Sequence, residues 1–123
     1  MDVENQLAVS LGKELLAHKQ TLSFAESCTG GLASSLVTDV AGSSEYLIGS
    51  IVTYTNEAKH NLLKVKQITL DAYGAVSEET ACEMAQGVRE LFGSDYGVGI
   101  TGNAGPSGSE GKPVGLVYIA IAT

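Results

Sequence analysis

Apolar and polar residues recur along this chain with two different periods, and the change of period separates helices from strands. Residues 4–18 carry leucines four positions apart (Leu7, Leu11 and Leu15), which predicts a helix. Residues 21–25 are short and partly alternating and precede a cluster of small residues, as a strand does. The next predicted elements are a helix over 32–40, a strand over 48–54 and a shorter helix from Asn56, a good N-cap type.

The second half of the chain contains the clearest helix, predicted over 77–92. Ser77 can cap its start and Gly93 can end it. Its predicted apolar face consists of Ala81, Met84, Ala85, Val88, Leu91 and Phe92. A strand over 96–101, a turn-rich loop over 102–115 and an almost continuous apolar strand over 116–122 complete the pattern.

Strands that alternate with helices indicate an α/β layered fold. The apolar run 117–121 predicts a central strand buried on both faces. In such sheets ligands bind beyond the carboxyl ends of the strands, where segments 25–31, 53–59 and 101–106 fall. We therefore expect a ligand site there.

Composition narrows the class of protein. A length of 123 residues fits one domain, 1–123, and the 44% hydrophobic and 17% charged fractions are those of a globular chain. No apolar run approaches the ~20 residues of a membrane span, and the N-terminus lacks a signal-peptide pattern, so we expect a cytoplasmic protein without a membrane partner. A net charge of −7 argues against nucleic acid as a partner. Two cysteines and two histidines without metal-ligand spacing predict neither a metal nor another cofactor.

Ser27 lies where a predicted strand passes into a helix, beside Cys28, Thr29, Gly30 and Gly31. Unpaired backbone N–H groups at such a turn can stabilise an oxyanion, and the glycines let a substrate approach the backbone closely. The turn is equally compatible with a plain helix cap. Cys28 is an alternative nucleophile, although no histidine is placed by a motif to pair with it.

Lys59 falls near the start of the predicted helix that follows Tyr54. The positive end of a helix dipole disfavours the lysine charge, and burial would lower the lysine pKa further. A neutral lysine can act as the base for a serine hydroxyl. The alternatives are a solvated surface lysine, and for Tyr54 a core position rather than a place in a proton network.

The third segment, after the strand over 96–101, combines a hydroxyl, an amide and glycines. Its residues are Thr101, Gly102, Asn103, Ala104 and Gly105, followed by Pro106. Such a loop can bind a phosphate or a ribose through backbone groups. It is neither a triphosphate loop nor a dinucleotide fingerprint, and it also fits an ordinary surface loop.

Taken in order, these segments resemble the C-terminal domain of the CinA (competence-damage protein) family, which also occurs alone as a nicotinamide-nucleotide amidase. The resemblance rests on five stretches: Ala-Glu-Ser-Cys-Thr-Gly-Gly at 25–31, Val-Thr-Tyr-Thr-Asn-Glu-Ala-Lys at 52–59, Gly-Ala-Val-Ser at 74–77, Thr-Gly-Asn-Ala-Gly-Pro at 101–106 and Lys-Pro-Val-Gly at 112–115. It implies a three-layer α/β/α sandwich with a mixed, mostly parallel sheet.

The same resemblance implies hydrolysis of nicotinamide mononucleotide to nicotinic acid mononucleotide and ammonia, by a serine–lysine mechanism without metal or cofactor. Ser27 is then the nucleophile, Lys59 the base, and Tyr54 a residue placed to assist proton transfer. Thr101, Gly102 and the following loop would contact the nucleotide.

Family members continue beyond the position of Thr123 with a strand, an arginine-bearing turn and an amphipathic helix, and full-length members carry an N-terminal domain. We therefore expect this domain to lack the final strand and helix, to expose apolar surface and to form homo-oligomers. The alternative function is a catalytically impaired nucleotide-binding or protein-interaction domain.

Overall fold

Nine helices and strands and one short 3-10 turn build the described part of the chain, which is residues 2–106 and 110–123 of a computed structural model. In chain order they are α1 (Val3–His18), β1 (Leu22–Glu26), α2 (Leu32–Thr38), the 3-10 turn (Ser43–Glu45), β2 (Leu47–Val52), α3 (Asn56–Leu63), α4 (Gln67–Tyr73), α5 (Glu78–Phe92), β3 (Tyr96–Gly102) and β4 (Val117–Ala122). No helix among these residues is long and apolar enough to cross a membrane.

The predicted elements are present, with ends that differ by a few residues, and one helix was missed. Ser77 caps α5 through its side chain, and Gly93 ends that helix with a positive φ, as expected. The helix expected over 32–40 already ends at Thr38. The missed helix, α4, has only seven residues, which is too short for the apolar spacing of a helix to repeat.

The sheet is mixed, with the strand order β2-β1-β3-β4. β1 pairs in parallel with both β2 and β3, whereas β4 runs antiparallel to β3. The prediction that 117–121 forms a central strand buried on both faces is wrong, because β4 is an edge strand. Ile119 and Ile121 are 66% and 67% exposed, since no helix covers their face of β4 in the described residues.

Two apolar cores on opposite faces of the sheet make the fold a three-layer α/β/α sandwich. One core joins α1 and α2 to Leu22 and Phe24 of β1. The other joins α3, α4 and α5 to Ala25 of the same strand. Successive side chains of a strand point to opposite faces, so one strand contributes to both cores.

The apolar stripes of the two long helices are only partly buried. In α1, Leu15 is 5% exposed but Leu7 is 65% exposed, and in α5 Leu91 is 52% exposed. The stripes therefore predicted the two helices correctly but overstated how much of each helix the core covers.

Candidate active site

A cleft of about 320 Å³ lies at the carboxyl ends of β1 and β3, where segments 25–31, 53–59 and 101–106 converge. Nine of the residues proposed from the sequence line it: Ser27, Cys28, Tyr54, Lys59, Thr101, Gly102, Asn103, Ala104 and Gly105. Asn56, Ala75, Val76 and Glu110 complete the lining. The three segments expected at the carboxyl ends of the strands thus line one cleft.

The centre of the cleft is a contact between Ser27 and Lys59. Lys59 is the fourth residue of α3 and its side chain is 1% exposed. Its Nζ lies 3.0 Å from Ser27 Oγ, 2.9 Å from the Thr53 carbonyl oxygen and 3.1 Å from the Tyr54 carbonyl oxygen. Three acceptors therefore surround this nitrogen.

This environment suits a lysine that works as a base. A neutral amine has two hydrogens and one lone pair, so donation to the two carbonyls leaves the lone pair for the Ser27 hydroxyl. Burial lowers the pKa of Lys59, against the opposing charges of Cys28 and Glu110. The lowered pKa expected from the sequence is found, with burial as its largest cause.

The turn after β1 uses most of its backbone donors internally. The Gly30 N–H donates to the Ser27 carbonyl, and the Gly31 N–H donates to the Glu26 carboxylate. Within the described residues, the N–H groups of Ser27, Cys28 and Thr29 have no oxygen acceptor, and those of Cys28 and Thr29 interact with the Cys28 thiol. Both of these interactions act to lower the pKa of the thiol.

Three of the predicted binding residues are not in the cleft lining. These are Thr29, Gly30 and Gly31, and Thr29 Oγ1 donates to Glu26 Oε1 at 2.6 Å. Their contact with a ligand stays a prediction. The N–H groups of this turn without an oxygen acceptor among the described residues are those of Ser27, Cys28 and Thr29.

Cys28 and Tyr54 flank the Ser27–Lys59 pair at the mouth of the cleft. Burial raises the pKa of the Cys28 thiol, although the nearby N–H groups and Lys59 oppose the rise. A thiol with a raised pKa is a weaker candidate nucleophile. Tyr54 is 74% exposed, and its backbone oxygen, rather than its hydroxyl, contacts Lys59 in the described residues. Its role in proton transfer remains a prediction.

The second wall of the cleft is the loop after β3, which is clamped to the turn between α4 and α5. Glu110 accepts hydrogen bonds from the N–H groups of Ala75 at 2.8 Å and Val76 at 3.0 Å. Lys112 Nζ donates to the carbonyl oxygens of Tyr73 and Val76 and lies 3.4 Å from Glu110 Oε1. Burial alone would raise the pKa of Glu110, but these N–H groups and Lys112 outweigh it and lower the pKa.

The polar side chains of the loop form hydrogen bonds to backbone groups within this wall of the cleft. Thr101 Oγ1 donates to the Ala75 carbonyl at 2.8 Å, and Asn103 Nδ2 donates to the Lys112 carbonyl at 3.1 Å. The exposed backbone of Ala104 and Gly105 is left facing the cleft mouth. The loop therefore offers a ligand mainly its main chain.

Sequence reasoning missed Glu26 and Glu110. Glu110 lies 35 positions after Ala75, so no local sequence pattern could predict that its carboxylate accepts from the Ala75 N–H. Glu26 precedes the first residue of α2 by six positions, outside the spacing of ordinary helix caps. Across residues 2–106 and 110–123, no three His, Cys, Asp or Glu side chains are grouped to bind a metal ion.

The fold and the cleft define an α/β domain with a buried serine–lysine pair at the carboxyl end of its inner strand β1. The chain belongs to the CinA C-terminal domain family, which it matches over residues 4–123. A CinA-like protein of Desulforapulum autotrophicum is 59% identical over 113 residues, covering 91% of this chain. A putative competence-damage inducible protein of Moorella thermoacetica is 57% identical over 111 residues, covering 89% of this chain. The chain spans 27% of the length of each of these relatives.

Solved structures of the family have the same fold. The competence/damage inducible protein CihA from Agrobacterium tumefaciens matches with a TM-score of 0.94 and 42% identity, covering 98% of this chain and 74% of that one. A protein from Enterobacter asburiae described as competence or damage-inducible matches with a TM-score of 0.95 and 34% identity, covering 98% of this chain and 77% of that one.

Proposed function

We propose that this domain hydrolyses the carboxamide of nicotinamide mononucleotide, giving nicotinic acid mononucleotide and ammonia. The observation that carries the proposal is the buried Lys59 Nζ at 3.0 Å from Ser27 Oγ. Most buried lysines pair with a carboxylate or lose their proton. Among the described residues, Lys59 Nζ has a serine hydroxyl and two carbonyls as hydrogen-bond partners and no carboxylate at salt-bridge distance, which favours a base over a structural ion pair.

In the proposed reaction, Ser27 Oγ attacks the carboxamide carbon while its proton passes to Lys59 Nζ. The N–H groups of Cys28 and Thr29 bind the resulting oxyanion. The tetrahedral intermediate collapses, and Lys59 returns the proton to the amide nitrogen, which leaves as ammonia. Water then attacks the acyl-serine with Lys59 again as base, releasing the carboxylic acid and free Ser27.

The loop after β3 suits a ligand that carries an anion. Backbone N–H groups can bind phosphate without a basic side chain, and the protein's net charge of −7 makes such local donors the more necessary. We therefore place the phosphate of the nucleotide along 101–106, across the cleft from Ser27.

The test is release of ammonia from nicotinamide mononucleotide, with nicotinamide riboside compared at equal concentration. We expect the mononucleotide to have the higher kcat/KM, because the riboside lacks the dianion that the loop would bind. Ammonia release from both compounds at equal kcat/KM would support the amidase activity but contradict a phosphate site on this loop. Absence of ammonia with both compounds would reject the amidase.

A second candidate is a nucleotide-binding or protein-interaction domain without turnover. It is favoured by the names of relatives, which refer to competence and damage rather than to an enzyme. Binding of the mononucleotide by calorimetry without ammonia release would select this candidate.

A further inference from the structure

Glu26, the last residue of β1, is a buried carboxylate that contacts four hydrogen-bond donors. It is 0% exposed, and no lysine, arginine or histidine pairs with it in the described residues. Its donors are Thr29 Oγ1 at 2.6 Å, Gly31 N at 3.2 Å and Ala33 N at 3.1 Å, all to Oε1, and Ser34 N at 2.9 Å to Oε2. A carboxylate suits this arrangement, because its two oxygens offer about four acceptor positions and no donor.

These contacts explain how a charge is kept in the protein interior without a counter-ion. Ala33 and Ser34 belong to the first turn of α2, whose N–H groups have no partner inside the helix. Hydrogen bonds from such groups to an ionised oxygen are short and strong, and the helix dipole adds to them. The Ala33 and Ser34 N–H groups therefore donate to Glu26 and are not available to a substrate.

The same contacts decide which donors of the turn remain for the cleft. Glu26 binds the hydroxyl of Thr29 and the N–H of Gly31 from one side, and the Gly30 N–H folds back to the Ser27 carbonyl. Of the five residues 27–31, Ser27, Cys28 and Thr29 have N–H groups without an oxygen acceptor among the described residues. Glu26 is adjacent to Ser27 in the chain, so a shift of its carboxylate would move the nucleophile as well.

We infer that Glu26 is a positioning residue for amide hydrolysis: its carboxylate fixes the turn 27–31 so that Ser27 Oγ and the N–H groups of Cys28 and Thr29 converge on one carbonyl. The inference rests on the proposed function. It concerns the transition state, in which the oxyanion forms, more than the bound substrate. Disturbing Glu26 should therefore lower kcat rather than raise KM.

The experiment compares Glu26→Gln with Glu83→Gln in the ammonia assay and in thermal melts. Glu83 is a control outside the cleft lining, and its carboxylate likewise accepts from the backbone and from a hydroxyl, namely the Lys66 N–H at 2.8 Å and Thr69 Oγ1 at 2.6 Å. In Glu26→Gln the side-chain NH₂ group, itself a donor, faces one or more of the four donors that Glu26 accepts from, so at least one hydrogen bond is lost. We expect kcat to fall about tenfold or more with KM unchanged, while Glu83→Gln lowers the melting temperature but leaves kcat unchanged.

A second variant covers the case in which Glu26→Gln does not fold. Thr29→Val removes one hydrogen bond to Glu26 and leaves the backbone donors in place, and we expect a two- to tenfold fall in kcat, roughly the worth of one such bond. If the wild-type chain releases ammonia and either folded variant keeps full kcat, or changes KM alone, the positioning role is overturned and the amidase stands. If the wild-type chain releases none, the proposed function itself has failed.

Discussion

At the scale of single residues, the proposed chemistry depends on a hydroxyl and an amine that are 3.0 Å apart in a site sheltered from water. Ser27 is 6% exposed and Lys59 is 1% exposed, so neither group is strongly hydrated. Because a buried amine avoids its charged form, burial of Lys59 would supply the activation that the proposed mechanism requires of Ser27.

Ser27→Ala should abolish turnover and leave binding nearly intact. The hydroxyl makes its covalent contribution only after the substrate is bound, so we expect kcat to fall roughly a thousandfold or more and affinity for the mononucleotide to stay within about tenfold. Cys28→Ala is the neighbouring control, and it should keep most of the activity. Turnover that survives in the Ser27 variant but vanishes in the Cys28 variant would make the thiol the nucleophile.

The rate should depend on pH through Lys59. The active form is the neutral amine, which is populated above the lysine pKa, and burial lowers that pKa from its ordinary value of 10.5. The rate should therefore rise with pH and level off below 10.5 rather than above it. A plot of log kcat against pH measures the midpoint.

Lys59→Arg separates base from charge. Arginine keeps the positive charge but does not lose its proton in this range, so we expect the variant to be nearly inactive at every pH at which it is folded. An active arginine variant would show that Lys59 acts through its charge, contrary to the mechanism proposed above.

At the scale of elements, the cleft is placed by the close packing of α5 on β3. Gly97 and Gly99 of β3 lie directly under α5, and a Cβ at Gly99 would lie 2.3 Å from the Ala81 carbonyl oxygen and 2.7 Å from the Ala85 nitrogen. The helix can approach this strand so closely only because both positions lack a side chain. Because α5 packs this closely on β3, the turn before α5 lies at the cleft, where Ala75 and Val76 form part of the lining.

Gly99→Ala should accordingly destabilise the domain. The clash is with backbone atoms, which cannot rotate away, so α5 must shift, and we expect a loss of about 1–3 kcal/mol in the free energy of unfolding. Urea denaturation followed by circular dichroism measures it. Gln86→Ala, an exposed position on the same helix, is the control and should cost far less; equal losses would show that the close approach carries no special cost.

At the scale of the whole molecule, one face of the sheet is incompletely covered. The three apolar side chains of β4 on the α1 side are Val117, Ile119 and Ile121, with exposed fractions of 41%, 66% and 67%. They adjoin a depression of about 510 Å³ lined by Leu11, Leu15, Leu22, Phe24, Val98 and Ile121, among others, and neither Ser27 nor Lys59 reaches it. A patch of this kind on an edge strand favours association.

We therefore expect the 123-residue chain to associate at high concentration, and charges on β4 to prevent this. Ile119→Lys with Ile121→Lys should shift light scattering toward the monomer mass with little change in melting temperature, because both side chains are already exposed. Ile68→Lys is the matched control: Ile68 is 73% exposed but lies on α4. A wild-type chain that stays monomeric in concentrated solution would refute association through this face.

The sequence alone determined the type and order of nearly all elements and brought the right segments to the cleft. Apolar spacing predicts α1 and α5 because a helix must turn one stripe to the core, and the ends of parallel strands must meet at one edge of the sheet. Their positions at a strand end and a helix start made Ser27 and Lys59 candidates, and the resemblance to the CinA family, rather than the local pattern, gave them the roles of nucleophile and base.

Only the tertiary structure decided what each segment meets. The apolar run of β4 is the same whether two layers cover it or one, so the run alone could not show that β4 pairs with β3 in the antiparallel direction at one end of the strand order. The burial of Lys59, the four donors around Glu26 and the clamp of Glu110 on a turn 35 residues earlier join groups that share no local pattern. An ionisable side chain is stable in the interior only where hydrogen-bond partners surround it. Those partners come from distant parts of the chain, so the contacts form only when the layers pack.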